Sequence, residues 1–355
     1  MNTVYKELAV VLDRIPNGYP ATESGVELQI LAALFTPEQA ALACQLELEP
    51  QMAKTIATRC GGDERQIHAA LKEMTKKGLI KAEKGEGGLA FKLMPFVVGI
   101  YEELGSKMSP EFAHLFEHYY LEGLHKMMAV KPSVHRVLPA EKTIPVDLEV
   151  MPYERASYYV ENARAWGVVP CMCRTQRRLV GHGCQHTVDN CLIFSSKPGA
   201  FDHSESIRAL SKEEALQVLA AADQEGLVHS ASNVLHDISY ICNCCICSCT
   251  IIRGIADFGH INGIARSDFF ASVNETLCVG CGACVERCQF NAITINENMC
   301  HIDRTHCFGC GLCTSVCPAE ALSLQMKNPA ELETPPRDEA EWRTQRLAGR
   351  KEVNY

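Results

Sequence analysis

Several signatures are missing from this 355-residue chain, and each absence removes a class of function. No run of about 18 uncharged apolar residues occurs, so no membrane-spanning helix is expected. The opening Met1-Asn-Thr-Val-Tyr-Lys-Glu puts charge inside its apolar run and lacks the form of a secretion signal. Positive charge is in deficit: 34 Lys+Arg against 43 Asp+Glu leave a formal −9. That balance argues against a dedicated nucleic-acid binder. No dinucleotide-binding glycine fingerprint, P-loop or nucleophile elbow is present, so flavin or nicotinamide binding has no support. His114, His118 and His125 fall along one expected helix, but no carboxylate ligand or His-Glu-x-x-His pattern accompanies them. They read as polar-face residues.

What is present is cysteine. Twenty cysteines in a chain without a secretion signal argue for metal ligation rather than disulfides. With 47% apolar residues the chain is globular, and its length suffices for two or three domains.

Eight of the cysteines form a repeat. Cys278-Val-Gly-Cys281-Gly-Ala-Cys284-Val-Glu-Arg-Cys288 is followed, 29 residues on, by Cys307-Phe-Gly-Cys310-Gly-Leu-Cys313-Thr-Ser-Val-Cys317-Pro318. Each run can hold an iron–sulfur cubane, and in the two-cluster arrangement the fourth cysteine of each run ligates the other run's cluster. The expected sets are Cys278, Cys281, Cys284 and Cys317, and Cys307, Cys310, Cys313 and Cys288. Gly280, Gly282, Gly309 and Gly311 sit where the backbone must come close to sulfide or take positive φ, with N–H groups turned toward the anion. Ala292–Ile295 and Ala321–Leu324 read as matching β-type runs, closing a small pseudo-two-fold α+β unit. Zinc pairs come as separate Cys-x2-Cys arms rather than this pattern.

Residues 272–326 resemble a bacterial two-cluster 4Fe-4S ferredoxin. One departure is Gln289, where the resemblance implies a proline like Pro318. The reading is that this loosens the turn or alters one cluster's potential without removing a ligand.

Nine further cysteines fall between Cys171 and Cys249. They are Val-Pro170-Cys171-Met-Cys173-Arg174, then Cys184 and Cys191, then Cys242-Asn-Cys244-Cys245-Ile-Cys247-Ser-Cys249. Nine inert thiols at this density are implausible. The expected ligands of a further iron–sulfur cluster are Cys173, Cys184 and Cys191 with one or more of Cys242, Cys244, Cys245, Cys247 and Cys249. Zinc is the competing metal. His182 and His186 do not discriminate, since imidazole suits either, and they read as solvated-loop residues. Adjacent cysteines cannot easily share one ion, so not every thiol need be a ligand. Arg174, Arg177 and Arg178 offer charge compensation near a cluster or, equally, a solvated helix face. The Pro-Cys-x-Cys-Arg and Cys-Asn-Cys-Cys-x-Cys runs, between a winged-helix-like region and the ferredoxin-like part, resemble a broad family of bacterial and archaeal 4Fe-4S binding proteins. That resemblance implies an architecture rather than a reaction.

The fold expected is α+β and multidomain. Residues 1–100 read as a winged-helix-like domain: helices from Thr22, from Thr36-Pro37, over 50–60 and from Asp63 to Lys77, then a hairpin over 79–93 whose Gly85–Gly88 turn fits a wing better than a phosphate loop. This stretch holds 11 Lys+Arg against 12 Asp+Glu, too balanced for a typical DNA reader. Cys44 and Cys60 read as buried apolar residues. Residues 101–270 form a Cys-rich α/β domain with a helix over 109–128, a strand over 146–150, a helix from Pro152 to Trp166 and a helix near 212–225. Residues 271–327 form the ferredoxin domain, in which Cys300 packs or shields, and 328–355 a disordered or partner-draping tail.

These readings combine into an electron-transfer protein with two 4Fe-4S clusters and a third centre. It is expected in a reducing cytoplasm, that of an anaerobe because exposed clusters are often oxygen-labile. Its partners would be redox proteins or other subunits of a larger complex. The alternatives are a redox-responsive DNA-binding regulator and an oxidoreductase with a catalytic middle cluster.

Overall fold

The computed structural model describes residues 3–140, 143 and 154–352. It divides into two compact units, one ending at Met127 and including Leu179–His182, the other made of Met128–Arg178 and Gly183 onward. The first unit runs on past residue 100, where Phe96, Tyr101, Phe116 and Tyr119 cluster with Tyr19. Tyr119 also donates to Pro20 O at 3.2 Å.

The first unit opens with α1 (Thr3–Arg14), whose buried Tyr5, Leu8, Ala9 and Leu12 follow a helical stripe. Helix α2 (Val26–Leu34) starts later than Thr22 because Gly25 takes φ 70° at its N-cap. Helix α3 (Pro37–Ala43) has the Thr36/Gln39 capping box. Strand β1 (Gln51–Met52) precedes α4 (Ala53–Cys60), and Asp63 caps α5 (Glu64–Lys76). Strands β2 (Ile80–Gly85) and β3 (Gly88–Leu93) pair antiparallel, with β1 on the far side of β3. The short α6 (Tyr101–Glu103) and α7 (Pro110–Glu122) complete the unit.

The second unit is built on a seven-stranded sheet. Its elements in chain order are β4 (His135–Leu138), α8 (Ala156–Asn162), β5 (Ala165–Pro170), α9 (Met172–Leu179), β6 (Asp189–Ser195), β7 (Arg208–Leu210), α10 (Lys212–Glu225), β8 (Val228–Ser232), β9 (Tyr240–Cys244), α11 (Thr250–Phe258) and β10 (Ile264–Ala265). The strand order is β10-β4-β8-β9-β6-β5-β7. Only β10 and β4 run parallel, so the sheet is antiparallel in the main and the α/β expectation gives way to α+β. Leu138, Val160, Val168, Leu192, Leu219 and Ile241 form the core between the sheet and helices α8 and α10. The strand expected over 146–150 lies outside the described residues. The helix expected to reach Trp166 ends at Asn162, and Trp166 is already in β5, its indole donating back to Val160 O at 2.7 Å.

After the sheet come β11 (Phe269–Val273), α12 (Ala283–Arg287), β12 (Ile293–Asn296), β13 (Met299–Ile302) and β14 (Leu322–Met326). Strand β11 pairs with β14, and β12 with β13. This part folds in one unit with the sheet rather than as a separate domain. Ala140 N donates to Cys310 O at 2.9 Å, and Gln289 bonds Ile246 N and Gly226 O, both at 3.0 Å.

The expected disordered tail is a helix, α13 (Glu339–Arg350), capped by Asp338. Trp342 Nε1 donates to Ser133 O at 2.9 Å, and Arg346 Nη1 donates to Val130 O and Pro132 O, each at 2.6 Å. Its many charges form the outer face of a helix whose Trp342 and Arg346, four residues apart, are buried.

Candidate metal centres

The repeat cysteines surround two recesses. Cys278, Cys281, Cys284 and Cys317 line one, with Cys300 at its wall. Cys288, Cys307, Cys310 and Cys313 line the other. Each recess thus takes three cysteines from one run and the fourth from the other. All four glycines between them take positive φ, 65° at Gly280, 81° at Gly282, 70° at Gly309 and 77° at Gly311. At Gly309 a Cβ would collide with the backbone of Phe269, so no larger residue fits.

The pseudo-symmetry extends to the sulfurs. Ala292 N donates to Cys288 Sγ at 3.3 Å, and Ala321 N to Cys317 Sγ at 3.2 Å. Asn291 and Glu320, at matching positions, both take positive φ. Ala271 N adds a bond to Cys307 Sγ at 3.4 Å. Burial pushes Cys310 up to about 12 and Cys313 further. Without a cation these thiols resist ionisation, and a metal that takes thiolate ligands would release their protons. The residues fit a cubane in each recess. Cys300 is buried with its Sγ 3.8 Å from Cys284.

The nine middle cysteines divide into two groups. Six thiols are neighbours in a closed order, Cys171, Cys191, Cys242, Cys244, Cys249, Cys173 and back to Cys171, each interacting with the next. The fold explains the ring. Cys242 and Cys244 alternate onto one face of β9, and the register sets Leu192 opposite Ile241, bringing Cys191 opposite Cys242. Cys173 lies in the first turn of α9, and Cys249 is the N-cap of α11. Both helix N-termini therefore offer positive partial charge to thiolates.

Hydroxyls flank the ring, with Thr250 Oγ1 at 3.5 Å from Cys173 Sγ and Ser230 Oγ at 3.5 Å from Cys244 Sγ. Buried His135 backs Ser230 at 3.2 Å and meets Tyr240 OH at 2.8 Å. Arg174 is 1% exposed. It donates to Asn190 Oδ1 and Asn243 O, and its charge faces Cys171, Cys244 and Cys245. Its burial removes the solvated-face reading of Arg174. Arg178 is exposed and donates to His186 O.

The remaining middle cysteines, Cys184, Cys245 and Cys247, gather with His186, and their ligand atoms all lie within 4.8 Å of one another. Cys184 Sγ stands 3.9 Å from Cys245 Sγ, and Cys247 Sγ stands 3.7 Å from His186 Nδ1. Of the expected set, Cys173 and Cys191 lie with Cys242, Cys244 and Cys249, and Cys184 lies with Cys245 and Cys247. Cys184 lies in the loop between α9 and β6 and turns away from its two sequence neighbours. His186 is half-buried in this group rather than solvated. Cys171, outside the expected ligand set, joins Cys173 and Cys191, and its position two residues from Cys173 is the signal for it in the sequence.

In the first unit, Cys44 is half-buried, and burial and then Glu7 push its thiol up to about 11. Cys60 is exposed, against expectation, because it ends the outer face of α4. His114 and His118 are exposed, as polar-face residues are. No helix among the described residues is long and apolar enough to cross a membrane.

Residues 271–324 match the family model described as a 4Fe-4S dicluster domain. The chain thus carries a ferredoxin-like 4Fe-4S domain at its C-terminal end, in keeping with iron–sulfur electron transfer. No curated protein and no solved structure matches the chain.

Proposed function

We propose that the protein is an electron carrier in which two ferredoxin-type clusters lead to a third iron–sulfur centre held by the six-thiol ring. The first cluster takes Cys278, Cys281, Cys284 and Cys317, and the second takes Cys288, Cys307, Cys310 and Cys313. The observation that carries this reading is the pair of recesses, each lined by one swapped set of four cysteines. When bound, such clusters supply one-electron storage.

The chain's own residues then set access and order. Cys281 is exposed, and Val279 beside it is 67% exposed and Leu277 48%. That apolar rim is the side a redox partner would meet. The second set is more enclosed, with Cys307 and Cys313 buried, and Gln289 next to Cys288 is bonded to the Cys245–Cys249 turn. N–H···S bonds from Ala271, Ala292 and Ala321 tune the sulfurs they reach, and Arg174 offsets thiolate charge around the ring. Service in an anaerobic redox complex of the cytoplasm belongs to this proposal.

Iron and sulfide content on anaerobically purified protein, with EPR after dithionite reduction, tests it. About 12 or more iron per chain is expected, against about 8 for two cubanes alone. Cys191→Ser should remove the excess iron and one EPR signal. About 8 iron in the wild type, unchanged by Cys191→Ser, would sink the third centre.

A second reading has its own observation. The pair α4 and α5 followed by the β2–β3 hairpin supports a winged helix, and Arg65, Lys72, Lys76, Lys81 and Lys84 are exposed there. On this reading the first unit binds DNA. A salt-dependent mobility shift would support it, and no binding at low salt would end it.

A further inference from the structure

We infer that Cys184, His186, Cys245 and Cys247 form a mononuclear, tetrahedral metal site of the zinc class, separate from the six-thiol ring and from both ferredoxin-type recesses. The inference rests on the geometry of these four residues and does not need the electron-carrier reading.

The donor set is three thiols and one imidazole, a familiar set for structural zinc. Distance then decides nuclearity. Thiolates about 2.3 Å from one tetrahedral ion stand about 3.8 Å apart. Here the sulfurs of Cys184 and Cys245 are 3.9 Å apart, and Cys247 Sγ is 3.7 Å from His186 Nδ1. The outer thiolates of a cubane sit on four different irons and must stand farther apart. In the Cys184 group all four ligand atoms lie within 4.8 Å of one another, the span of one ion.

Adjacent cysteines avoid sharing an ion because β9 ends between them. Cys244 is its last residue and stands among the ring thiols, while Cys245, just past the strand, gathers with Cys184 and Cys247. A metal held by His186 Nδ1 would leave the ring proton on Nε2. Surrounding groups suit an anionic centre. Ser248 Oγ lies 3.4 Å from Cys184 Sγ, and Arg178 Nη2 donates to His186 O at 2.9 Å. Three thiolates and a neutral imidazole on a divalent ion leave one negative charge, which buried Arg174 beside Cys245 offsets.

The site's work is mechanical. Around it the buried apolar cluster is small, Ala222, Leu227 and Cys245, and the α9–β6 loop is otherwise held by polar bonds such as Thr187 N to Glu225 Oε2 at 2.8 Å. An ion there clamps that loop to the Cys245–Cys249 turn. Ile246, between two ligands, donates to Gln289 Oε1 at 3.0 Å. The clamp therefore also holds the point where the ferredoxin part attaches, next to Cys288. A zinc-class ion takes no electron, so the site steadies the path without storing charge.

Metal analysis of the full chain, purified anaerobically, tests this. About one zinc per chain is expected in the wild type. It should fall below about 0.1 in the Cys184→Ser/Cys247→Ser double variant and in His186→Ala, with iron unchanged, and return in His186→Cys, which restores four ligands. A wild type without zinc overturns the inference, as does a double variant that loses iron and a cluster EPR signal while keeping zinc. A mononuclear ferric signal lost in these variants overturns the zinc class. If the double variant does not fold, cobalt(II) added to zinc-depleted wild type decides instead. Tetrahedral d–d and thiolate charge-transfer absorption supports the site, and its absence rejects it. Iron content reports on the electron-carrier reading and zinc on this one, so either can fail alone.

Discussion

Gln289 shows how much one side chain can change the meaning of a motif. Read along the chain, it is a missing proline beside Cys288, and the expectation is a looser turn. In the fold it accepts from Ile246 N and donates to Gly226 O. Both partners belong to the sheet part of the second unit, and a proline could reach neither. Gln289→Pro should therefore keep the iron content and lower the anaerobic thermal midpoint, reflecting about 1–3 kcal/mol for two part-buried groups left unbonded. An unchanged midpoint would mean that water replaces both bonds at no cost.

At the scale of elements, α13 is the clearest case of tertiary structure overriding composition. Residues 328–352 are rich in charge and include Pro335-Pro336, which favours a disordered reading. Yet Asp338 caps a helix whose Trp342 and Arg346 recur at i and i+4, and both side chains find backbone carbonyls near residues 130–133. Arg346→Ala should cost about 2–4 kcal/mol, because it removes charge-assisted bonds and leaves two carbonyls short of a donor. The check is a thermal melt paired with limited proteolysis, in which residues 338–352 should be cut first. Equal cleavage rates in variant and wild type would show that the helix docks without Arg346.

At the scale of the whole molecule, the asymmetry between the two recesses becomes a prediction about traffic. Only the first has an exposed cysteine, Cys281, and an apolar rim of Leu277, Val279 and Val285. If partners exchange electrons there, Val279→Glu should slow reduction by a small reduced ferredoxin about tenfold, the effect of roughly 1.4 kcal/mol at a docking contact. Reduction by dithionite, which needs no docking, should be unchanged. Equal slowing with both reductants would place the fault in the cluster rather than at the surface.

The sequence by itself determined the ferredoxin-type cysteines, the glycines between them, the capped helices α3 and α5, and the β2–β3 hairpin. Each is written within a few adjacent residues, because one tight loop or one helical turn is enough to position it. Only the tertiary structure decided how the nine middle cysteines divide. Their grouping depends on the pairing of β9 with β6 and β8, on which way the α9–β6 loop turns, and on helices that deliver Cys173 and Cys249 to one end of the sheet. Cys244 and Cys245 are neighbours in the chain and members of different groups. His186 and Cys247 are 61 residues apart and in contact. No spacing rule carries that information, since contacts between distant strands and loops are set by sheet register and packing rather than by the local chain.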